Sequence, residues 1–336
     1  MAWFRRSILS DRQEAAVRKT LHNLRAQRRN RFRVLACIDG TEESFVTVRF
    51  GARYIVQNNC DLIVLFVKPI DTGLSTGGLQ LRLARQSMMD AGFDLPGVRH
   101  LKRVLEILLE EGIDVSSWPQ ETAHQDAWGD PTGDNKVEYK SPEGRSVVLK
   151  LKTAPDVAHG SLDQYELGPY NLIIMGEPSR WRGEIMAFFD SGVVQTVTTM
   201  APCSVLVARQ SLDRKGFFIC TDGTSRSMLA VRRAAVLAEV TGEPITLFSA
   251  ADSAGGRGAA EEAVANAKAL LKAMQIQTAE TRVAIGDAAE EIVESGSLYK
   301  VIVVTDEGRS RLQRLIRGST ATEVARKART SVLDVR

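Results

Sequence analysis

One pattern occurs twice in this chain and limits what it can fold into. Residues 37–44 read CIDGTEES and residues 220–227 read CTDGTSRS, five matches in eight in the form C-x-D-G-T-x-x-S, 183 residues apart. A second pair, APCSVLVAR at 201–209 and ARTSVLDVR at 328–336, is offset by 127. Both pairs keep their order and both sit on apolar runs, so the chain is a tandem of two copies of one unit. The difference between the offsets gives the first copy about 56 extra residues. The 336 residues also suit two cores at roughly 150 residues each.

The second copy is the cleaner one. Phe217 to Thr221 is a short apolar run ending at Asp222-Gly223, a buried strand meeting a loop. Met228, Leu229, Val231, Ala235, Val236 and Val240 follow at helical spacing and stop at Gly242. Strands are expected at Ile245–Phe248, Thr281–Ile285, Val301–Val304 and Ser331–Val335. Between them lie an alanine-rich helix over 258–275, a helix capped by Asp287, and one opened by Ser319 or Thr320. This alternation predicts a parallel sheet covered on both faces, a doubly wound α/β unit whose ligands sit beyond the carboxyl ends of the strands.

The first copy opens alike, with a strand over Phe32–Ile38, a helix over Ser44–Gln57 and a strand over Asp61–Val67. A helix over about Val98–Glu111 and closing strands at Asn171–Met175 and Ser204–Ala208 follow. Most of the extra length falls at about 114–153, where Lys136–Tyr139 and Ser146–Lys152 flank Ser141-Pro-Glu-Gly144 as a β-hairpin. The expected divisions are an arm at 1–30, a first domain at 31–210 and a second at 211–336.

The net charge of +3 hides an asymmetry: residues 1–33 hold ten Lys/Arg and two Asp/Glu. The two units are therefore mildly acidic, which argues against nucleic acid as their partner. The arm carries a capping-box pattern, Ser10 to Gln13, then Val17, Leu21 and Leu24 at helical spacing. An amphipathic basic helix is expected there, either solvated, packed on its own domain, or turned to an anionic membrane surface or acidic partner. No apolar run reaches the roughly 18 residues of a spanning helix, and no signal-like h-region opens the chain, so a cytoplasmic protein is expected. Cys37, Cys60, Cys203 and Cys220 lack metal or redox spacing and read as reduced core residues. His22, His100, His124 and His159 form no triad or metal spacing and read as surface or structural. Trp118 and Trp128 read as cover for the hairpin.

The stretch with chemistry is Thr305-Asp-Glu-Gly308, nine residues, then Gly318-Ser319-Thr320, between an apolar strand and a helix. Glycines let backbone N–H groups approach a phosphate, and a helix start adds unpaired N–H groups and the positive dipole end. Ser319 and Thr320 can donate to phosphate oxygens, Arg309 adds positive potential, and Asp222 can accept from ribose or adenine. The G-x9-G-[S/T] spacing after the fourth strand, with an aspartate after the first, resembles the ATP-binding universal stress proteins. The resemblance is good over 210–336 and looser over 31–210. It implies two tandem five-stranded Rossmann-like domains of the adenine nucleotide alpha hydrolase kind, strand order 3-2-1-4-5. It also implies ATP or AMP as ligand, with Mg²⁺ open, and a regulatory rather than catalytic role. The site residues it implies are Thr221, Asp222, Gly223, Thr224, Phe248, Thr305, Gly308, Arg309, Gly318, Ser319 and Thr320. Two departures stand out: Thr305 replaces the motif's first glycine, and Asp306-Glu307 places acid in the loop.

In the first copy the motif is eroded, with Gly176 followed by an irregular stretch containing bulky Trp181, Phe188 and Phe189. Asp39, Gly40, Thr41 and Gly176 form a degenerate second site, with weak or no triphosphate binding expected. A ligand-free interaction module stands as the alternative for the whole chain. No nucleophile–base pair is legible. The two closing strands are apolar edges, expected to pair with each other as an intramolecular pseudo-dimer, with further homodimerisation open.

Overall fold

The computed structural model describes residues 31–56, 60–69, 96–127, 130–163, 169–176, 191–210, 214–305 and 320–336. The expected N-terminal helix and Trp128, Trp181, Phe188, Phe189, Gly308, Arg309, Gly318 and Ser319 lie outside the described residues.

The C-terminal unit alternates strand and helix throughout. β8 (Phe217–Cys220), β9 (Ile245–Ala251), β10 (Glu280–Ile285), β11 (Val301–Thr305) and β12 (Ser331–Val335) are joined by α5 (Ser225–Val240), α6 (Arg257–Ala273), α7 (Ala288–Gly296) and α8 (Thr320–Lys327). Their order in the sheet is β10-β9-β8-β11-β12 and every pairing is parallel. That is the 3-2-1-4-5 order, in which right-handed crossovers place helices on both faces of the sheet. Asp287 caps α7, its carboxylate accepting from the Glu290 N–H at 3.0 Å.

The N-terminal unit has the same core and an addition. β1 (Phe32–Ile38), β2 (Cys60–Pro69), β5 (Ser146–Ala154), β6 (Leu172–Gly176) and β7 (Ser204–Ala208) lie in the order β5-β2-β1-β6-β7, all parallel. The helices are α1 (Glu42–Ile55), α2 (Pro96–Glu110), α3 (Val157–Leu162) and α4 (Ser191–Met200). Outside β5 lie two antiparallel strands, β4 (Asp130–Lys140) and β3 (Gln120–Ala127). The expectation of five strands is therefore corrected to seven here. The β4–β5 hairpin turns at Gly144 as the sequence indicated, with the Gly144 N–H on Ser141 O at 2.9 Å. But β5 is itself the third parallel strand, since Val147, Leu149 and Leu151 are buried in the core with α1 and α2. The β3–β4 pair, added at the edge of the sheet, accounts for part of the extra chain.

The two closing strands pair with each other. β7 and β12 run antiparallel, with Val332 opposite Val207, Leu333 opposite Leu206 and Asp334 opposite Val205. Twelve strands thus make one sheet, and neither closing strand presents a free edge. On the face carrying α1 and α5 the apolar core runs unbroken across the junction, from Ile38 and Phe45 through Leu206 and Leu333 to Ile219 and Leu247. On the opposite face the core is divided into one cluster per unit, around Val205 and around Val332. There the junction is polar. Arg209 donates to the carbonyls of Thr330 (2.8 Å) and Ala325 (2.6 Å), and Arg336 donates to Ala201 O and to Asp334 (3.2 Å). Each arginine's N–H also meets a serine of the other closing strand, Arg209 on Ser331 at 3.0 Å and Arg336 on Ser204 at 3.2 Å. On the continuous face, Glu243 gathers Lys300 (2.5 Å), the Gly216 N–H (2.8 Å) and, from the other unit, Arg53 (3.7 Å).

Candidate functional site

The repeated motif folds into the same turn in both units. The strand ends, the aspartate follows, the glycine takes a left-handed φ (+88° at Gly40, +78° at Gly223), and the threonine caps the next helix. Glycine is required because a side chain at such φ costs about 1–2 kcal/mol. The aspartate holds the turn. Asp222 Oδ1 accepts from the Thr224 N–H at 3.0 Å and its hydroxyl at 2.7 Å; Asp39 Oδ1 does the same for Thr41 at 2.8 and 2.6 Å. The threonine oxygens accept from the N–H groups of Ser227 and Ser44, giving N-caps to α5 and α1. The serines close the loop by donating back to the carbonyls of Thr224 (3.1 Å) and Thr41 (2.8 Å). All four named positions of D-G-T-x-x-S are thus explained by one turn.

Asp222 nonetheless stays at the surface. Partial desolvation works to raise its pKa, but the bonds from Ser227 and Thr224 outweigh it and hold the carboxyl below its ordinary value. It is a fixed anion at neutral pH, poised as an acceptor. Thr221 is buried, its N–H on Phe248 O at 2.9 Å and its hydroxyl beside Ser227 Oγ at 3.0 Å. It braces the loop from beneath. Phe248 does the same: its carbonyl serves Thr221, and its ring is 1% exposed, 4.8 Å from the Phe218 ring. Its contribution to a site is support.

Thr305 and Thr320 share the edge with Asp222. Ile219 of β8 pairs with Val303 of β11, so Thr221 and Thr305, each two residues further on, leave the sheet side by side. The Thr305 hydroxyl donates to Val335 O at 2.9 Å, tying β11 to β12. Because α8 leads into β12, which runs parallel to β11, its first residue, Thr320, stands at the edge where β11 ends. Ala321 and Val324 hold α8 to the sheet in the cluster with Ile302 and Val332. The Thr320 end of α8 therefore lies at the same edge as the Asp222 turn.

The N-terminal unit differs where the turn meets its neighbour. A Cβ on Gly223 would lie 3.1 Å from the Ala263 methyl of α6, whereas one on Gly40 would lie 2.3–2.5 Å from the imidazole of His100 on α2. That ring stacks on Phe66 with centroids 5.5 Å apart. Burial, with help from Arg99 and against the pull of Asp39, holds His100 below its ordinary pKa, so it packs as a neutral ring. Gly176 is tight as well: a Cβ there would meet the Ser44 Cα at 3.0 Å. Asp39, Gly40, Thr41 and Gly176 are thus brought together, with an imidazole filling the junction that a methyl occupies in the other unit. Sequence reading passed over His100 because it lies 60 residues after Gly40, whereas Ala263 lies 40 residues after Gly223, so no shared offset links them.

The four thiols lie in the core. Burial pushes Cys37, Cys60 and Cys203 up to about 12 and Cys220 higher still, so none is a nucleophile at neutral pH. No described helix is long and apolar enough to cross a membrane.

Residues 215–336 match the model of the universal stress protein family. No curated protein matches the chain. Among solved structures, a universal stress protein from Archaeoglobus fulgidus DSM 4304 is similar with a TM-score of 0.58 at 16% identity, covering 90% of this chain and 98% of that one. A functionally unknown protein from Pseudomonas aeruginosa PAO1 is similar at 0.53 and 14% identity, covering 92% of this chain and 94% of that one. At these identities the likeness is one of fold, and it spans both units.

Proposed function

We propose that this chain, whose residues 215–336 carry a universal stress protein domain, is an adenine-nucleotide-binding regulatory protein that holds ATP or AMP in its C-terminal unit. The observation that carries this reading is the meeting, at one sheet edge, of a fixed, surface carboxylate (Asp222) with the start of α8 at Thr320. An acceptor for ribose or adenine lies on one side, and donors for an anionic tail on the other. Gly308, Arg309, Gly318 and Ser319 belong to the same proposal, as the glycine-rich approach to that helix, and Mg²⁺ would accompany ATP as the counter-ion of its phosphates. The role is binding rather than turnover.

A second reading, an interaction module without ligand, is favoured by one specific feature. The hydroxyls of Thr221, Thr224 and Thr305 are all engaged within the protein. Titration calorimetry of the full chain with ATP and with AMP separates the two. The nucleotide reading expects one site per chain, because His100 fills the junction at Gly40. Saturation at a hundred times the dissociation constant should add about 2.7 kcal/mol of stability. Asp222→Asn keeps an oxygen for the Thr224 bonds while removing the charge, and should weaken binding by about 1–3 kcal/mol. Absence of heat and of any thermal shift with either nucleotide refutes the first reading in favour of the second.

A further inference from the structure

We infer that the outer edge of β3 (Gln120–Ala127) is an interface at which a second copy of this chain adds to the sheet, antiparallel and centred on Thr122. β3 ends the twelve-stranded sheet and is the outer of the two strands that the first unit adds to the repeated core. Each side chain from Gln120 to Gln125 is exposed, and none of them joins an apolar core cluster. Among the described residues its only strand partner is β4. A strand of this kind is marginal in water, and sheet edges are ordinarily guarded by lysine, proline or a covering element. Gln120–Gln125 contains neither Lys nor Pro. Its one carboxylate, Glu121, lies 3.1 Å from Lys140 on β4. The opposite outer strand, β10, begins with Glu280 and pairs it with Arg282, a charged edge of the guarded kind.

The ladder fixes which backbone groups face outward. The Lys140 N–H donates to Pro119 O at 3.0 Å, and Glu121 stands opposite Glu138. Hydrogen-bonded pairs alternate along an antiparallel ladder, so Glu121 and Ala123 turn their backbone groups to β4 while Gln120 and Thr122 turn theirs outward. Two copies related by a twofold axis normal to the sheet keep the same face on the same side, so one residue meets its own copy. With the axis at Thr122, Thr122 meets Thr122, Gln120 meets His124 and Glu121 meets Ala123. No like charges oppose one another, and a Thr–Thr pair is a favourable cross-strand neighbour. Moved one residue toward the start of β3, the axis would set Glu121 against Glu121; moved one toward its end, the pairing would run into the irregularity between Gln125 and Ala127. This self-matching of a short segment favours a second copy over an unrelated strand. So short an interface belongs to the weak, concentration-dependent class. It is independent of the nucleotide reading.

The test is sedimentation equilibrium of the full chain over about 1–100 μM, where a weak dimer forms and dissociates. Thr122→Pro removes the outward N–H without taking a bond from β4. It should weaken the dimer about thirty-fold, because the axis removes two bonds at once, and should leave the monomer's thermal stability unchanged. Thr122→Lys sets two ammonium groups opposite each other and should weaken the dimer as well; it decides the matter if Thr122→Pro does not fold. Thr122→Cys places two thiols across the axis at a Cα separation of about 5.5 Å, within disulfide reach, so oxidation by diamide should lock the dimer. Glu121→Cys, whose two copies stand out of register, should stay open. The four native thiols are buried and do not compete. A chain that stays monomeric throughout overturns the inference and leaves the edge to a strand of another protein. A dimer that Thr122→Pro and Thr122→Lys leave intact overturns it too, since the copies then meet elsewhere. So does a Glu121→Cys variant that closes as readily as Thr122→Cys.

Discussion

Gly40 offers a direct test of how the first unit's turn is filled. Replacing it with alanine has two costs. The left-handed φ of +88° costs a side chain about 1–2 kcal/mol, less about 0.4–1 kcal/mol regained from a stiffer unfolded chain. The new methyl would also sit 2.3–2.5 Å from the His100 ring, far inside contact, so the ring must leave its stack on Phe66. A ring contact of that kind contributes about 0.5–1.5 kcal/mol. The expected loss is therefore about 2 kcal/mol, part of it owed to His100. A double-mutant cycle separates the parts. Adding His100→Ala to Gly40→Ala should cost about 1 kcal/mol less than His100→Ala alone, because the ring to be displaced is gone. The assay is urea unfolding of the four proteins, with hydrogen exchange in α1 to assign the change to the first unit. Gly223→Ala has no such partner, since Ala263 already ends at its Cβ. Strict additivity between positions 40 and 100 would refute the assignment of His100 as the filler of that junction.

Stability should fall as the pH drops through 6.5, because the folded state holds His100 below that value and the unfolded chain protonates first; His100→Gln should flatten the pH profile between 7 and 5. The turn at Asp222 acts lower: its carboxyl is depressed in the fold, so its contribution is present above the unfolded pKa of 3.8 and is lost as pH falls through the folded one, a loss Asp222→Asn should abolish. All four cysteines should resist a thiol reagent at pH 8 in the native protein and react once urea unfolds it; fast native labelling of any of them would contradict its burial. Val332→Lys should cost at least about 3 kcal/mol, since the side chain is 1% exposed at the strand junction; wild-type stability would mean β12 is not central.

Much of the candidate site was legible because it is local. C-x-D-G-T-x-x-S encodes a strand end, a left-handed glycine and an N-cap within eight residues, and the structure builds that turn twice. Strand and helix periodicity likewise placed β1, β7 and α1 within a residue or two. The misreadings all involved distance along the chain. β5 reads as half of a hairpin, which it is, but its other edge pairs with β2, 85 residues back, where Asp61 meets Ser146. Phe248 reads as the last residue of its strand, yet β9 runs on to Ala251 and its ring is buried in the core.

The sequence alone indicated a repeated unit built on a parallel α/β core, and where the loops at the ends of the first strands turn. These follow from periodicity and from backbone constraints that act over a few residues. Only the tertiary structure decided that an imidazole lies against Gly40 where a methyl lies against Gly223. It also decided that Arg209 and Arg336 reach across the junction to helix ends in the opposite unit. Such contacts join groups 40 or more residues apart, and they are selected by the shape of the packed sheet rather than by any pattern along the chain.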